Sequence, residues 1–212
     1  MMKTEHSINR IDIQALREEY QKQGVCSVSS VIPLDLVSRV VPSLGGADAL
    51  EATGGKVGGN VGWHQDWQYW RYWEDDSELF TAWIAISDVR EDSGPVSFLV
   101  GSHRWGFLDT GDFLASDLAH QLQAIQVSGG KKWREVPTIL SLGSISFHHR
   151  LTYHSSGPNV SSLPRRSVAI HLRTEKSSSL PGAVDYYVSN LEDPQICPII
   201  YQRSAPTDVT SG

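Results

Sequence analysis

The chain has 212 residues, 18 Lys and Arg against 24 Asp and Glu and a formal charge of −6, with no basic block, so a nucleic-acid backbone or an anionic membrane is a poor partner and a discrete small molecule is the expected one. The length suits a single domain over residues 1–212 with a substantial core. Cys26 and Cys197 stand apart without Cys-x-x-Cys spacing and the polar opening is followed by no long apolar run; this predicts a cytoplasmic protein without a disulfide framework, signal peptide or membrane span.

The first predicted element is a helix. Asp12 can cap its start, Ile13, Leu16 and Tyr20 repeat at helical spacing, and Gly24 is placed to end it. Val25 to Ile32, rich in valine and serine, reads as a strand. Pro33 can open a second short helix carrying Leu36, Val37, Val40, Val41 and Leu44. Gly45-Gly46 and Gly54-Gly55-Lys56-Val57-Gly58-Gly59 are loops. The second lacks the Gly-x4-Gly-Lys-Ser/Thr spacing of a phosphate-binding loop, with Val57 in place of the hydroxyl residue, and is not a nucleotide site.

The stretch from Val61 to Trp73, with Trp63-His64-Gln65-Asp66-Trp67 at its centre, is the densest in chemistry. In an extended segment residues i and i+2 face the same side, so His64 and Asp66 can converge on one small object. A second histidine would complete the two-histidine, one-carboxylate set that holds non-haem Fe(II) and leaves coordination positions open. A bare His-x-Asp also arises by chance at a polar strand edge, so the second histidine decides.

Leu79 to Asp88 reads as a buried strand with Thr81, Trp83 and Ala85 on one face and Ile84 and Ile86 on the other. A turn at Glu91 to Pro95, a strand at Val96 to Val100 and a turn at Gly101-Ser102-His103 follow. Leu114, Leu118 and Leu122 suggest a helix inside a long excursion, from about Phe107 to Gln126, that covers the site. Gly129-Gly130 then breaks the chain before strands at Trp133 to Leu140 and Ser144 to His149. Of His148, His149 and His154, the last ends an apolar strand just before Ser155-Ser156-Gly157-Pro158-Asn159, where a rigid scaffold gives way to a loop. In the strand from Pro164 to Leu172, Arg165, Ser167, Ala169 and His171 share one face, small and polar enough to line a cavity. An arginine there can fork onto a carboxylate, although the pattern equally allows Arg165 and Arg166 to face solvent. Short strands between Gly/Pro turns, with helices at the front, predict an all-β double-sheet or barrel core. The polar tail from about residue 202 is expected to be loose.

Trp63-His64-Gln65-Asp66, the Ala82-Trp83 strand, Glu91-Asp92-Ser93-Gly94-Pro95 with Val96 through Gly106, and His154 through Asn159 with Pro164-Arg165-Arg166 together resemble the phytanoyl-CoA dioxygenase family over roughly residues 60–173. The resemblance implies a mainly β fold, the double-stranded β-helix (a cupin-like jelly roll), with flanking N-terminal helices, and the use of Fe(II), 2-oxoglutarate and O₂. It implies His64, Asp66 and His154 as metal ligands and Arg165, eleven residues beyond His154, as the partner of the distal 2-oxoglutarate carboxylate. Gln65, Trp83 and Ser156 are implied as further cofactor-binding residues, and His149 as a group that orients a ligand.

The segment ahead of the metal motif is short and Gly-rich where longer relatives carry extra strands, which with the acidic charge balance argues against a coenzyme A thioester substrate. Asp66 argues against halogenation, which needs that position vacated. The expected reaction is hydroxylation of an unactivated C–H of a small molecule, with desaturation, cyclisation or epimerisation at the same centre as alternatives. A cupin-like binding protein without activity, and a hydrolase or isomerase holding Zn²⁺ or Mn²⁺, stay open as other classes. Trp63, Trp67, Tyr69, Trp70, Tyr72 and Trp73 are candidate substrate walls, Trp67 or Tyr69 foremost.

Overall fold

The computed structural model describes residues 11–43, 59–125 and 133–202. Leu44, the Gly45-Gly46 loop, nearly all of the Gly54–Gly59 loop, the Gly129-Gly130 break and nearly all of the polar tail lie outside the described residues. Helix α1, Ile13–Gln23, begins where the Asp12 carboxylate accepts from the Ala15 amide and ends at Gly24, whose φ of 78° lets its N–H donate to the Tyr20 carbonyl. β1, Val25–Val28, stops short of Ile32 because the chain turns at Ser30 and the Val31 and Ile32 amides both donate to the Gly143 carbonyl. α2, Leu34–Ser43, follows Pro33 as expected.

Seven more strands complete the scaffold: β2 (Val61–His64), β3 (Leu79–Ala85), β4 (Val96–Leu99), β5 (Glu135–Pro137), β6 (Ile145–His149), β7 (His154–Ser156) and β8 (Ser167–Arg173). They form two four-stranded antiparallel sheets, ordered β1-β6-β3-β8 and β2-β7-β4-β5. The chain passes repeatedly from one sheet to the other, which makes the fold a double-stranded β-helix.

Period-two alternation fixes the core. Trp83 and Ala85 of β3 meet Val96 and Phe98 of β4 between the sheets, with Val25, Val89 and Leu140 around them. The outer face of the second sheet gives Trp63, Leu99 and Tyr153 a second cluster, roofed by Trp105, Leu108, Leu118 and Leu122. Helix α3, Leu118–Ala124, is the helix expected in the excursion. It starts late because the Asp117 carboxylate caps it by accepting from the His120 amide, which leaves Leu114 outside and 86% exposed. β8 is an edge strand among the described residues. Ala169 and His171 face the space between the sheets from β8, yet both are solvent-exposed, so the barrel is open on this side. No helix among the described residues is long and apolar enough to cross a membrane.

Candidate metal centre

His64 closes β2 and stands directly opposite His154, the first residue of β7, with ring centroids 4.2 Å apart. His154 opens its strand rather than ending one, because the preceding residues form a turn tied to distant partners: Tyr153 N–H donates to Ser102 Oγ and the Thr152 hydroxyl to the Gly24 carbonyl. Gln65 keeps an extended backbone, so Asp66, heading a short 3₁₀ turn at Asp66–Tyr69, returns to the same side as His64. The three side chains are buried and their ligand atoms all lie within 4.8 Å of one another.

The ring orientations are set by backbone carbonyls. His64 Nδ1 lies 2.8 Å from the Gly62 carbonyl and His154 Nδ1 lies 2.9 Å from the Thr152 carbonyl. A carbonyl only accepts, so each Nδ1 carries the proton and each Nε2 presents a lone pair. Those Nε2 atoms lie 3.7 and 3.5 Å from Asp66 Oδ1. Burial lowers the pKa of both imidazoles and favours their neutral form. Burial alone would raise the Asp66 pKa, but the adjoining His154 and His148 imidazoles and the Thr81 hydroxyl hold the carboxyl well below the usual range. Three acceptor lone pairs that converge without a proton among them are unfavourable unless a cation is shared, so the residues fit a metal ion.

Asp66 Oδ2 accepts from the Thr81 hydroxyl at 2.6 Å and from His148 Nε2 at 3.1 Å. Thr81 Oγ1 lies 3.1 Å from His171 Nδ1, and the Trp70 ring packs edge-on against His171. His148 thus touches the carboxylate, and the orienting role expected of His149 is corrected. Ser146 and His148 are buried on one face of β6, whereas His149 faces outward beside Tyr20 and His103. Strand parity, with Thr81 already on the cavity face, is the signal that could have picked out His148.

Arg165, just before β8, is 8% exposed, and its guanidinium lies 5.5 Å from the Trp83 ring centroid. Its Nε is buried without a hydrogen-bond partner, no carboxylate among the described residues pairs with it, and burial lowers its pKa. Ser156 lies two residues beyond His154 on the same face of β7 and is also buried. Gln65 points the other way. Its amide donates to the Gly106 and Leu151 carbonyls and accepts from the Leu108 amide, so it braces the excursion and has no polar atom left for a co-substrate.

Of the candidate substrate walls, Trp67 is buried, with the Arg150 guanidinium 4.0 Å from its ring centroid. Tyr69 is 49% exposed and sits at the mouth, its ring 6.0 Å from His64 and 6.2 Å from Phe113. Phe113 is carried by the excursion, which closes onto β2: Gly62 N–H donates to the Phe113 carbonyl and Asp112 N–H to the Trp63 carbonyl. This cover over His64 matches expectation.

Comparison with known proteins agrees with the geometry. The sequence profile of the phytanoyl-CoA dioxygenase (PhyH) family matches residues 47–167. The chain is 29% identical over 136 residues, 61% of this chain and 45% of the relative, to a probable alpha-ketoglutarate-dependent hypophosphite dioxygenase of Stutzerimonas stutzeri. It is 30% identical over 129 residues, 58% of this chain and 44% of the relative, to a phytanoyl-CoA dioxygenase domain-containing protein 1 homolog of Caenorhabditis elegans. It therefore spans less than half the length of these curated relatives. Among solved structures, the non-heme alpha ketoglutarate dependent epimerase SnoN from nogalamycin biosynthesis shares the fold at a TM-score of 0.61, with 18% identity over 92% of this chain and 95% of that one.

Proposed function

The chain belongs to the phytanoyl-CoA dioxygenase family, and from that premise we propose that it is an Fe(II)- and 2-oxoglutarate-dependent oxygenase that hydroxylates an unactivated C–H of a small molecule other than an acyl-CoA. The observation that carries this reading is the buried convergence of His64, Asp66 and His154 near an Arg165 guanidinium that lacks a carboxylate partner among the described residues. The two cysteines, both free, favour a reducing cytoplasmic location.

In this reading His64, Asp66 and His154 hold the metal. Bound Fe(II) with 2-oxoglutarate and O₂ supplies the oxidation, with 2-oxoglutarate leaving as succinate and CO₂. The neutral imidazoles give their Nε2 lone pairs, and Asp66 offsets part of the metal's charge. Arg165 forks onto the distal carboxylate of 2-oxoglutarate, with Trp83 beneath the guanidinium and Ser156 as a nearby hydroxyl. Asp66 rests on Thr81 and Arg165 on Trp83, two positions on one face of β3 about 7 Å apart. Tyr69 and Phe113 exclude water above His64, and the open side at Ala169 and His171 admits the substrate.

The test is an anaerobic titration of metal-free protein with Fe(II) and then 2-oxoglutarate, following the visible metal-to-ligand charge-transfer band. The band is expected in the native protein and absent in His64→Ala and Arg165→Ala. Fe(II) binding without a band would instead favour a hydrolase or isomerase. Epimerisation, named for the SnoN neighbour, is a second outcome of the same centre, beside desaturation and cyclisation. Product mass separates them: one added oxygen marks hydroxylation, two lost hydrogens desaturation or ring closure, and no change epimerisation.

A further inference from the structure

We infer that Thr81 and His148 are positioning residues that keep Asp66 a one-oxygen ligand, an inference that rests on the metal-centre reading above. The two oxygens of this carboxylate have different surroundings. Oδ1 is turned toward His64 Nε2 and His154 Nε2, whereas Oδ2 accepts from both Thr81 Oγ1 and His148 Nε2. A carboxylate oxygen has two in-plane lone pairs, and those two donors occupy both of them on Oδ2. For Oδ2 to join Oδ1 on a metal, either a buried hydroxyl or a buried imidazole N–H would lose its acceptor, which is unfavourable. The carboxylate would therefore offer a bound metal one oxygen instead of two, which would leave more of the metal open to a co-substrate.

The support is built into the sheet register. Thr81 of β3 lies opposite His148 of β6 on one side and His171 of β8 on the other. One rung across three strands of the first sheet thus holds a ligand that belongs to the β2 side of the barrel. The proton positions follow from counting. The single hydroxyl proton of Thr81 goes to Asp66 at 2.6 Å, so Thr81 Oγ1 must accept from His171 Nδ1 at 3.1 Å. His171 therefore carries its proton on Nδ1 and presents the Nε2 lone pair to the open side of the cavity. His148 donates through Nε2, which removes it from the ligand set although its ring centroid lies 4.6 Å from that of His154.

Co(II) titration of metal-free protein, followed by its visible ligand-field absorption, tests the inference with His64→Ala, Thr81→Val, Thr81→Ser, His148→Leu and His148→Gln. Thr81→Val and His148→Leu are expected to weaken Co(II) binding about 10–100-fold. Thr81→Ser and His148→Gln, which keep a donor, are expected to recover most of that loss; a residue that merely packs would show no such rescue. Long-range ¹H–¹⁵N spectra of metal-free native protein are expected to show His171 protonated on Nδ1 and His148 on Nε2, and Thr81→Val is expected to release the His171 preference. If native protein binds Co(II), His64→Ala does not, and Thr81→Val and His148→Leu bind as tightly as native, the positioning inference fails and the metal centre stands. If native protein itself does not bind Co(II), the metal-centre reading fails and the inference falls with it.

Discussion

Arg165 is a side chain that the fold tolerates and that the proposed function puts to use. A cation that is 8% exposed with an unpartnered Nε destabilises the empty protein. Arg165→Met is therefore expected to stabilise metal-free protein by about 1 kcal/mol, or about 2–4 °C in Tm for a chain of this size. The same change is expected to weaken 2-oxoglutarate binding about 100-fold, the effect of losing a charge-assisted pair worth about 3 kcal/mol. Calorimetry and 2-oxoglutarate titration read the two effects separately, and Arg165→Lys, which keeps charge without the fork, is expected to fall between. At this scale the sequence was legible wherever parity was followed. The i, i+2 rule that paired His64 with Asp66 also sends Gln65 to the opposite side, and the rule that places Ser146 inward requires His149 to face out. The family resemblance had suggested otherwise for both residues, because it carries positions and not the direction in which each one points.

The cover over the site depends on a backbone seam between β2 and residues 111–113. A Cβ on Gly62 would clash with the Asp112 carbonyl oxygen, so glycine is required there by close approach. Gly62→Ala is expected to part the seam, cost about 1–3 kcal/mol, and speed hydrogen exchange at the Asp112 amide. Unchanged exchange in that variant would show that the seam is not what holds the cover. Elements with local punctuation were readable: Asp12 and Gly24 bracket α1 and Pro33 precedes α2, as the pattern said. β5 was overestimated, since Pro137 lacks an N–H and limits the ladder. β7 was misplaced because the turn before it is set by Ser102 and Gly24, partners too far along the chain for any local pattern to contain.

For the molecule as a whole, burial has a predictable acid response. His149, pressed among Tyr20, His103 and Arg150 on the outer face of the first sheet, has its pKa lowered from 6.5 to about 4, first by burial and then by the neighbouring His103 and Arg150. The unfolded chain takes up this proton near pH 6.5 while the folded chain refuses it until about pH 4. Stability from this group is thus complete above 6.5 and is lost as pH falls toward 4. Urea unfolding midpoints at pH 7, 5.5 and 4.5 are expected to decline less steeply in His149→Gln than in the native chain. The two-sheet class was legible from short strands and turn signals. The strand order was not, because it is decided by pairings between segments that share no local signal.

Those pairings also set when the candidate metal centre can form. His64 meets His154 ninety positions along the chain, Thr81 meets His171 across the same separation, and Val25 meets His148 across a longer one. Each closure loses loop entropy before contacts repay it, which places refolding among the slow β folds, at about milliseconds to seconds. The ligand set is a product of closure and cannot guide it. In stopped-flow refolding, the Co(II) absorption is expected to rise only with the slowest native phase, after tryptophan fluorescence has begun to change. Capture of Co(II) in the burst phase would mean that the segment around His64 gathers the ion before its partner strand arrives.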